Sequence, residues 1–384
     1  MTVRLGIVGH GVQGNTYARM LADGEVDGLR LAAICDTDQR HAQAGSQYRV
    51  PFYTDYRELI ASGEVDAVVT TVPHYLHPDV AMAAMQAGLH VLVEKPAAVY
   101  AAQVRELNEV AQAHPELTFA IMFNQRTNPL YRRIKQIVAA GEIGAIRRSS
   151  WIITSWYRPQ AYYSQSAWRA TWGGEGGGVL VNQSPHQLDL WQWICGMPTR
   201  VTAKLGFGFR RDIAVEDEAT ILADFGDGVT GTFITATHDL IGTDRFEILG
   251  DRGKIVVTDS ARATVYRLPQ PEQQISAAIT LEQVQQSVTG GATEVPYTTE
   301  ELSFESVWGA QHREVLRNFA ANITSGEPLI APGSDGIDGV RLANAAHLSA
   351  WLGREVSIDG EEDAYLTELN QRIRAEGMFA ERSG

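Results

Sequence analysis

Gly6-Ile7-Val8-Gly9-His10-Gly11-Val12-Gln13-Gly14 is the stretch on which the fold of this chain turns. Residues 3–8 form an apolar run that predicts a strand, and residues 12–22 predict a helix. Between them, Gly9 permits a tight bend and Gly11 lets the backbone approach a pyrophosphate. Gly14 allows the helix to pack closely on the strand, and Val12 and Gln13 belong to the same cofactor-binding turn. The start of the helix favours an anion. Asp36 follows the second strand, Leu29–Cys35, 22 residues after Gly14. A carboxylate there accepts from both ribose hydroxyls and repels a 2′-phosphate. Thr37 and Asp38 bring no cation, and only Arg40 weighs towards NADP, so NAD is the expected cofactor.

Strands and helices alternate outward from that turn. Strands are expected over 65–72, 89–93 and 117–122, with helices near 77–87 and 99–113. Several of these strands are apolar on both faces, which argues for a parallel, doubly wound sheet. The pattern changes past residue 125. A helix near 129–140 ends at Gly141, residues 146–156 alternate as a strand, and a helix follows near 184–195. Residues 200–267 read as consecutive strands, with hairpin turns at Gly226-Asp227-Gly228 and Gly250-Asp251-Arg252-Gly253. Residues 268–300 receive no assignment, and helices near 306–324 and 335–352 close the chain. The expectation is an α/β chain. A dinucleotide-binding domain occupies 1–124, and an α+β domain for substrate binding and oligomerisation, built on a large, mostly antiparallel open sheet, occupies 125–384. The helix near 335–352 is a candidate to pack back towards the first domain.

Composition narrows the function. The 384 residues carry 32 Lys and Arg against 46 Asp and Glu, a net charge of −14. Such a chain repels nucleic acid and anionic membranes, so neither is an expected partner. The two cysteines, Cys35 and Cys195, lie in apolar surroundings and suit no metal site. They predict reduced core thiols and a cytoplasmic setting, with no metal. No signal-peptide core and no apolar run of about 18 residues is visible.

Val91-Leu92-Val93-Glu94-Lys95-Pro96 places a lysine at the end of a buried-looking strand. Ligands of open α/β sheets bind beyond the carboxyl ends of the strands, and a structural Glu94–Lys95 pair is the competing explanation. A second motif tips the balance: Gly176-Gly177-Gly178-Val179-Leu180-Val181-Asn182-Gln183-Ser184-Pro185-His186-Gln187-Leu188-Asp189. Its three glycines let a backbone pass close to a ligand. Ser184 and Pro185 suit a helix start. His186 and Asp189, three apart, can share one helix side. A histidine there serves as acid or base near neutral pH.

These motifs, with Pro73-His74-Tyr75-Leu76-His77-Pro78 and Asn124-Gln125-Arg126-Thr127-Asn128-Pro129, resemble the Gfo/Idh/MocA family of NAD(P)-dependent sugar and cyclitol oxidoreductases over essentially the whole chain. The resemblance implies an N-terminal Rossmann domain. It implies that Lys95 contacts both substrate and nicotinamide and that His186 is the general acid/base. It places Thr71, Pro73, His74, His77, Glu94, Asn124, Trp168 and Arg169 beside the cofactor. Asn182, Asp189, Arg126, Trp156, Tyr157 and Tyr162 are expected against a carbohydrate or polyol. Many relatives carry aspartate where this chain has Asn182, which stabilises an imidazolium less well, and Asp189 is a candidate to supply that charge. Two other functions share these motifs: an NAD-dependent glycosidase working through a transient keto-sugar, and a non-catalytic NAD- and sugar-sensing regulator. A homodimer or homotetramer is implied by resemblance.

Residues 151–172 hold seven aromatics: Trp151, Trp156, Tyr157, Tyr162, Tyr163, Trp168 and Trp172. Arg158, Gln160, Gln165, Arg169 and Glu175 interleave with or follow them. Flat rings beside polar groups suit the C–H face and hydroxyls of a pyranose, so this segment is expected to bind substrate.

Overall fold

The computed structural model describes residues 2–288, 296–305 and 307–378. The first sheet is formed by β1 (Val3–Val8), β2 (Leu29–Cys35), β3 (Phe52–Tyr53), β4 (Ala67–Thr70), β5 (His90–Val93) and β6 (Phe119–Ile121), all parallel, in the order β3-β2-β1-β4-β5-β6. All four residues of β4 are buried, as helices on both faces require. The order reverses between β1 and β4, so a crevice opens at their carboxyl ends, where Gly9 and Thr71 lie.

The second sheet contains β7 (Ile146–Ile153), β8 (Arg200–Phe207), β9 (Glu216–Gly226), β10 (Val229–Ala236), β11 (Asp244–Gly250), β12 (Gly253–Thr258), β13 (Arg262–Arg267), β14 (Thr298–Ser303) and β15 (Val356–Ser357). Its order is β14-β13-β12-β11-β7-β10-β9-β8-β15, antiparallel except for β7 beside β10. Burial alternates along β12, so one face is covered and the other open. The Asp227-Gly228 turn joins β9 to β10 with positive φ at both residues (51° and 76°), the geometry a two-residue hairpin needs. Trp151 on β7 is fully buried and stacks on Phe246 of β11 at 4.3 Å.

The chain crosses back after the second sheet. Helix Ala310–Ser325 buries Val315, Leu316, Phe319 and Ala320 in one core with Val3, Leu5 and Leu31 of the first sheet. Helix Gly336–Leu352 lies on β8 and helix Pro185–Cys195, and its Val340 packs with Ala97, Val104 and Ile121. Residues 268–300, left unassigned by sequence, include helices Glu272–Ala278 and Leu281–Val288 and the first half of the β14 edge, whose exposed polar faces give weak periodicity; residues 289–295 of that stretch lie outside the described residues. Helix Glu362–Glu376, also unassigned, buries Tyr365, Leu369 and Ile373 at four-residue spacing. Among the described residues, no helix is long and apolar enough to cross a membrane.

Candidate active site

The crevice between β1 and β4 widens into a cleft of about 770 Å³. Gly9, Gly11, Val12, Gln13, Asp36, Thr71, Pro73, His74, His77, Glu94 and Lys95 line it from the first sheet, while Tyr162, Trp168, Arg169 and Asn182 reach it from the second part of the chain. Thr54, Asp55, Tyr56 and Arg57 add to the wall, and the sequence offered no signal for them.

The glycine turn is built as its spacing predicts. Gly9 has φ +96°, and a Cβ there would meet the Thr71 carbonyl oxygen at 2.5 Å. A Cβ at Gly14 would meet the Gly9 oxygen at 2.0 Å. At Gly11 it would meet nothing within 4 Å, so the middle glycine leaves open space above the turn. Helix Val12–Ala22 starts without a side-chain cap or an acid in its first turn, and Val12 is 88% exposed. Its free N–H groups therefore face a site that favours an anion. Asp36 stands just past β2. Its Oδ2 accepts from the His10 N–H at 2.6 Å and its Oδ1 from the Asp38 N–H at 2.8 Å. Arg40 turns its guanidinium onto Asp38, with Nε 2.8 Å from Oδ2, so that cation is already paired. An open glycine turn, an uncapped helix start and a fixed carboxylate together fit a dinucleotide with a free ribose 2′-hydroxyl.

At the other end, Lys95 is half-buried and donates from Nζ to the Asn182 backbone oxygen at 2.8 Å. A residue of the nucleotide sheet thus meets the loop leading to helix Pro185–Cys195. Burial lowers the Lys95 ammonium pKa, Glu94 and Glu175 oppose that, and Arg169 and Arg158 add to it. Glu94 accepts from the buried Tyr17 hydroxyl and from the Lys95 backbone N–H, so part of the expected structural pairing exists while the Lys95 ammonium itself turns to Asn182. His74 lies 2.9 Å through Nδ1 from the Glu175 carbonyl oxygen, and His77 sets its two ring nitrogens against the Pro96 and Val72 carbonyls.

His186 does not line the cleft, although it lies close enough to feel Lys95 electrostatically. Burial depresses its imidazole pKa well below the ordinary value, and the charges of Lys95 and His312 add to this. Its Nδ1 is enclosed and unpartnered. His312, on the returning helix, had no sequence signal. Its ring nitrogens lie 3.0 and 3.2 Å from the Asn124 Nδ2. Asn124 is buried there, off the cleft lining.

Several expected contacts lie elsewhere. Asp189 does not back His186. It receives Arg126 in a two-point pair, Nε–Oδ2 2.9 Å and NH2–Oδ1 2.6 Å, with both side chains 1% exposed. Helical spacing set its face but not its partner. Neither Asp189 nor Arg126 reaches the cleft. Trp156 packs against the second-sheet core, and Tyr157 is exposed outside the cleft, stacked by Arg211. The aromatic segment therefore divides: Trp151, Tyr163 and Trp172 are core, while Tyr162 and Trp168 line the cleft. The 176–178 glycines also pack on protein rather than on open space. Added Cβ atoms would meet Val99 at 2.2 Å, Val181 at 2.5 Å and the Glu216 oxygen at 1.9 Å respectively. Ser184 begins the helix, but its hydroxyl donates to the Val179 oxygen instead of capping it.

Two acids stand behind this loop: Glu175, which the sequence reading set among the polar groups of a substrate segment, and Glu216, which it missed. Glu175 is 1% exposed and receives the Asn182 amide and the Ala170 N–H. Glu216, fully buried, accepts from the Gly178 and Leu180 N–H groups at 2.9 and 3.0 Å. These two carboxylates hold the segment that carries Asn182 and so fix the Lys95 contact.

Residues 3–121 match the family model described as an oxidoreductase family with an NAD-binding Rossmann fold, and residues 131–256 match the GFO/IDH/MocA C-terminal domain. An inositol 2-dehydrogenase of Salmonella typhimurium is 37% identical over 277 residues, covering 69% of this chain and 76% of that protein. The WlbA dehydrogenase from Bordetella pertussis, solved with NADH and UDP-GlcNAcA, has a TM-score of 0.74 at 23% identity, over 93% of this chain and 99% of that one. Levoglucosan dehydrogenase, solved with NADH and levoglucosan, has a TM-score of 0.76 at 19% identity, over 94% and 100%. At those identities the two structures speak for the fold.

Proposed function

The chain belongs to the Gfo/Idh/MocA family of NAD-binding oxidoreductases, and from that premise we propose that it transfers hydride between NAD and a secondary hydroxyl or keto carbon of a sugar, glycoside or inositol-like polyol. The observation that carries the reading is the Lys95–Asn182 contact, which joins the dinucleotide crevice to the segment bearing His186.

Gly9, Gly11, Gln13 and Asp36 are the residues to hold NAD, which when bound supplies the hydride acceptor. Lys95 donates to the substrate oxygen and stabilises the charge that develops there. The hydroxyl proton is assigned to His186, which burial keeps neutral and which, though off the cleft lining, lies within electrostatic reach of Lys95. Asn182, pinned by Glu175, orients the substrate. The Asp189 carboxylate is committed to Arg126 and is not the group that backs His186. A screen of free sugars, glycosides and inositols with NAD, read as NADH absorbance, tests the reading. Glycoside cleavage without net NADH, or NAD binding with no turnover across the panel, would overturn it. Subunit pairing through the open face of the second sheet belongs to the same proposal, and sedimentation at micromolar concentration checks it.

Two predictions arise here. Asp36→Ala should raise the KM for NAD by about 10- to 100-fold, the worth of a charged hydrogen bond, while kcat at saturating NAD changes little. Initial-rate kinetics in both substrates separate the two terms. The pH profile of kcat/KM should be a broad bell. Its acid limb should lie below the ordinary histidine value of about 6.5, because burial and Lys95 hold His186 neutral through neutral pH. Its alkaline limb should begin below the ordinary lysine value of about 10.5, because burial weakens the Lys95 ammonium. In Lys95→Met, the His186 imidazole should titrate at higher pH than in wild type, as two-dimensional NMR of the ring will show. An unmoved titration would separate the two groups.

A further inference from the structure

Guanidinium groups gather where the cleft meets the second part of the chain, although the protein as a whole carries −14. Arg158 and Arg169 stand against the same Tyr162 ring, 5.0 and 4.7 Å from its centroid. Arg169 also donates from NH1 to the Tyr162 hydroxyl at 2.8 Å, and both Tyr162 and Arg169 line the cleft. Arg211 is tied to this group through its Nε, which donates to the Arg158 carbonyl at 2.8 Å.

Their charges are poorly answered. Arg169 has Glu175, at 3.5 Å. Among the described residues, neither Arg158 nor Arg211 meets a carboxylate: Arg158 gives NH1 to the Tyr157 carbonyl, and Arg211 gives NH1 to the Arg210 carbonyl. The Nε atoms of Arg158 and Arg169 are enclosed without a partner. Arg158 and Arg169 both weaken the Lys95 ammonium, against the stronger opposing pull of Glu94 and Glu175, so Lys95 and Arg169 have carboxylates near them and Arg158, just off the cleft lining, is the cation left without one. Holding it there costs energy unless an anion joins it. The dinucleotide's phosphates belong at the glycine turn and uncapped helix start. Arg169 has Glu175 and is expected beside the cofactor, so the anion that Arg158 awaits is on the other reactant.

We infer that the substrate carries an anionic group, a carboxylate or a phosphate ester, that seats against Arg158 beside the Tyr162 ring; this rests on the dehydrogenase reading above and names its substrate class. A guanidinium pairs with either group at two points, and the Tyr162 ring holds the Arg158 guanidinium in place beside the cleft. Arg158 is then a specificity residue, and a neutral hexose leaves its charge unanswered.

The test uses NADH-loaded protein and three probes: glucuronate, glucose 6-phosphate and glucose. Binding is read by calorimetry and turnover by NADH absorbance with NAD. One of the two acids should bind at least about 10-fold more tightly than glucose, the worth of a charge-assisted hydrogen bond, and which one identifies the anion. Arg158→Gln should bring that acid within about twofold of glucose, and Arg158→Lys should restore part of the difference, with NADH affinity unchanged in both. Glucose binding as tightly as both acids would overturn the proposal, as would an Arg158→Gln loss that falls on NADH. Selective acid binding with no turnover leaves this inference standing and removes the dehydrogenase reading instead.

Discussion

Lys95→Met should lower kcat by about 10³-fold while leaving NADH affinity within a few-fold of wild type, because one preorganised donor to a developing oxyanion is worth that much. Methionine keeps the length and apolar stem of the side chain and removes the donor. The ammonium has two tasks in this geometry. It bonds the Asn182 carbonyl at 2.8 Å, and in the proposed reaction it donates to the substrate oxygen. Losing the first task disturbs the Asn182 loop only mildly, since Glu175 and Glu216 still hold it through the Asn182 amide and the Gly178 and Leu180 N–H groups. The loss should therefore fall on kcat rather than on folding. Steady-state kinetics, NADH fluorescence titration and a melting curve on one preparation separate the possibilities. A kcat within about fivefold of wild type, with bound NADH intact, returns Lys95 to a structural bridge between two parts of the chain.

How much of this was legible beforehand depends on what kind of constraint each residue obeys. The first glycine motif was readable because its demands are local: Gly9 and Gly14 collide with their own neighbourhood if given a Cβ, and Asp36 sits at a fixed distance along the next strand. The second glycine cluster shows the limit of that logic. Sequence reveals that a side chain is forbidden at residues 176–178 but not what forbids it, and the obstacles are Val99, Val181 and Glu216, each distant in the chain or folded back on the loop. Acids mislead in the same way. Glu216 and Asp217, successive acids at the start of β9, are fully buried: Glu216 is satisfied by N–H groups of the distant 178–180 segment and Asp217 by those of Phe209 and Arg210 in the preceding loop. His312 was invisible because its role depends on a helix returning across the first sheet, a tertiary event that no periodicity encodes.

Asp189→Ala should cost about 3–5 kcal/mol of stability, the usual penalty for stranding a buried charge, and lower the melting temperature by roughly 10 °C. The pair it breaks joins three segments. Arg126 follows β6, Asp189 lies on helix Pro185–Cys195, and Asp335, just before helix Gly336–Leu352, takes the third guanidinium nitrogen at 2.5 Å. Phe123 and Trp193 stack on the guanidinium at 5.1 and 5.4 Å, so water has little access. Burial pushes the Asp189 carboxyl up, Arg126 pulls against it, and the two-point geometry is that of an ionised pair. Asp335 is 35% exposed and already engaged on one edge, so it compensates poorly for the lost partner. Replacing both members, Arg126→Met with Asp189→Leu, should recover most of the loss, because apolar side chains of similar volume remove the stranded charge. Urea denaturation of the two single variants and the double variant measures the coupling directly. The same set decides between two roles for Asp189. If the carboxylate tuned His186, the single variant would keep its melting temperature and lose turnover, and the double variant would stay inactive. A structural pair predicts the reverse order: stability lost in Asp189→Ala and regained in the double variant, with turnover per folded molecule following it.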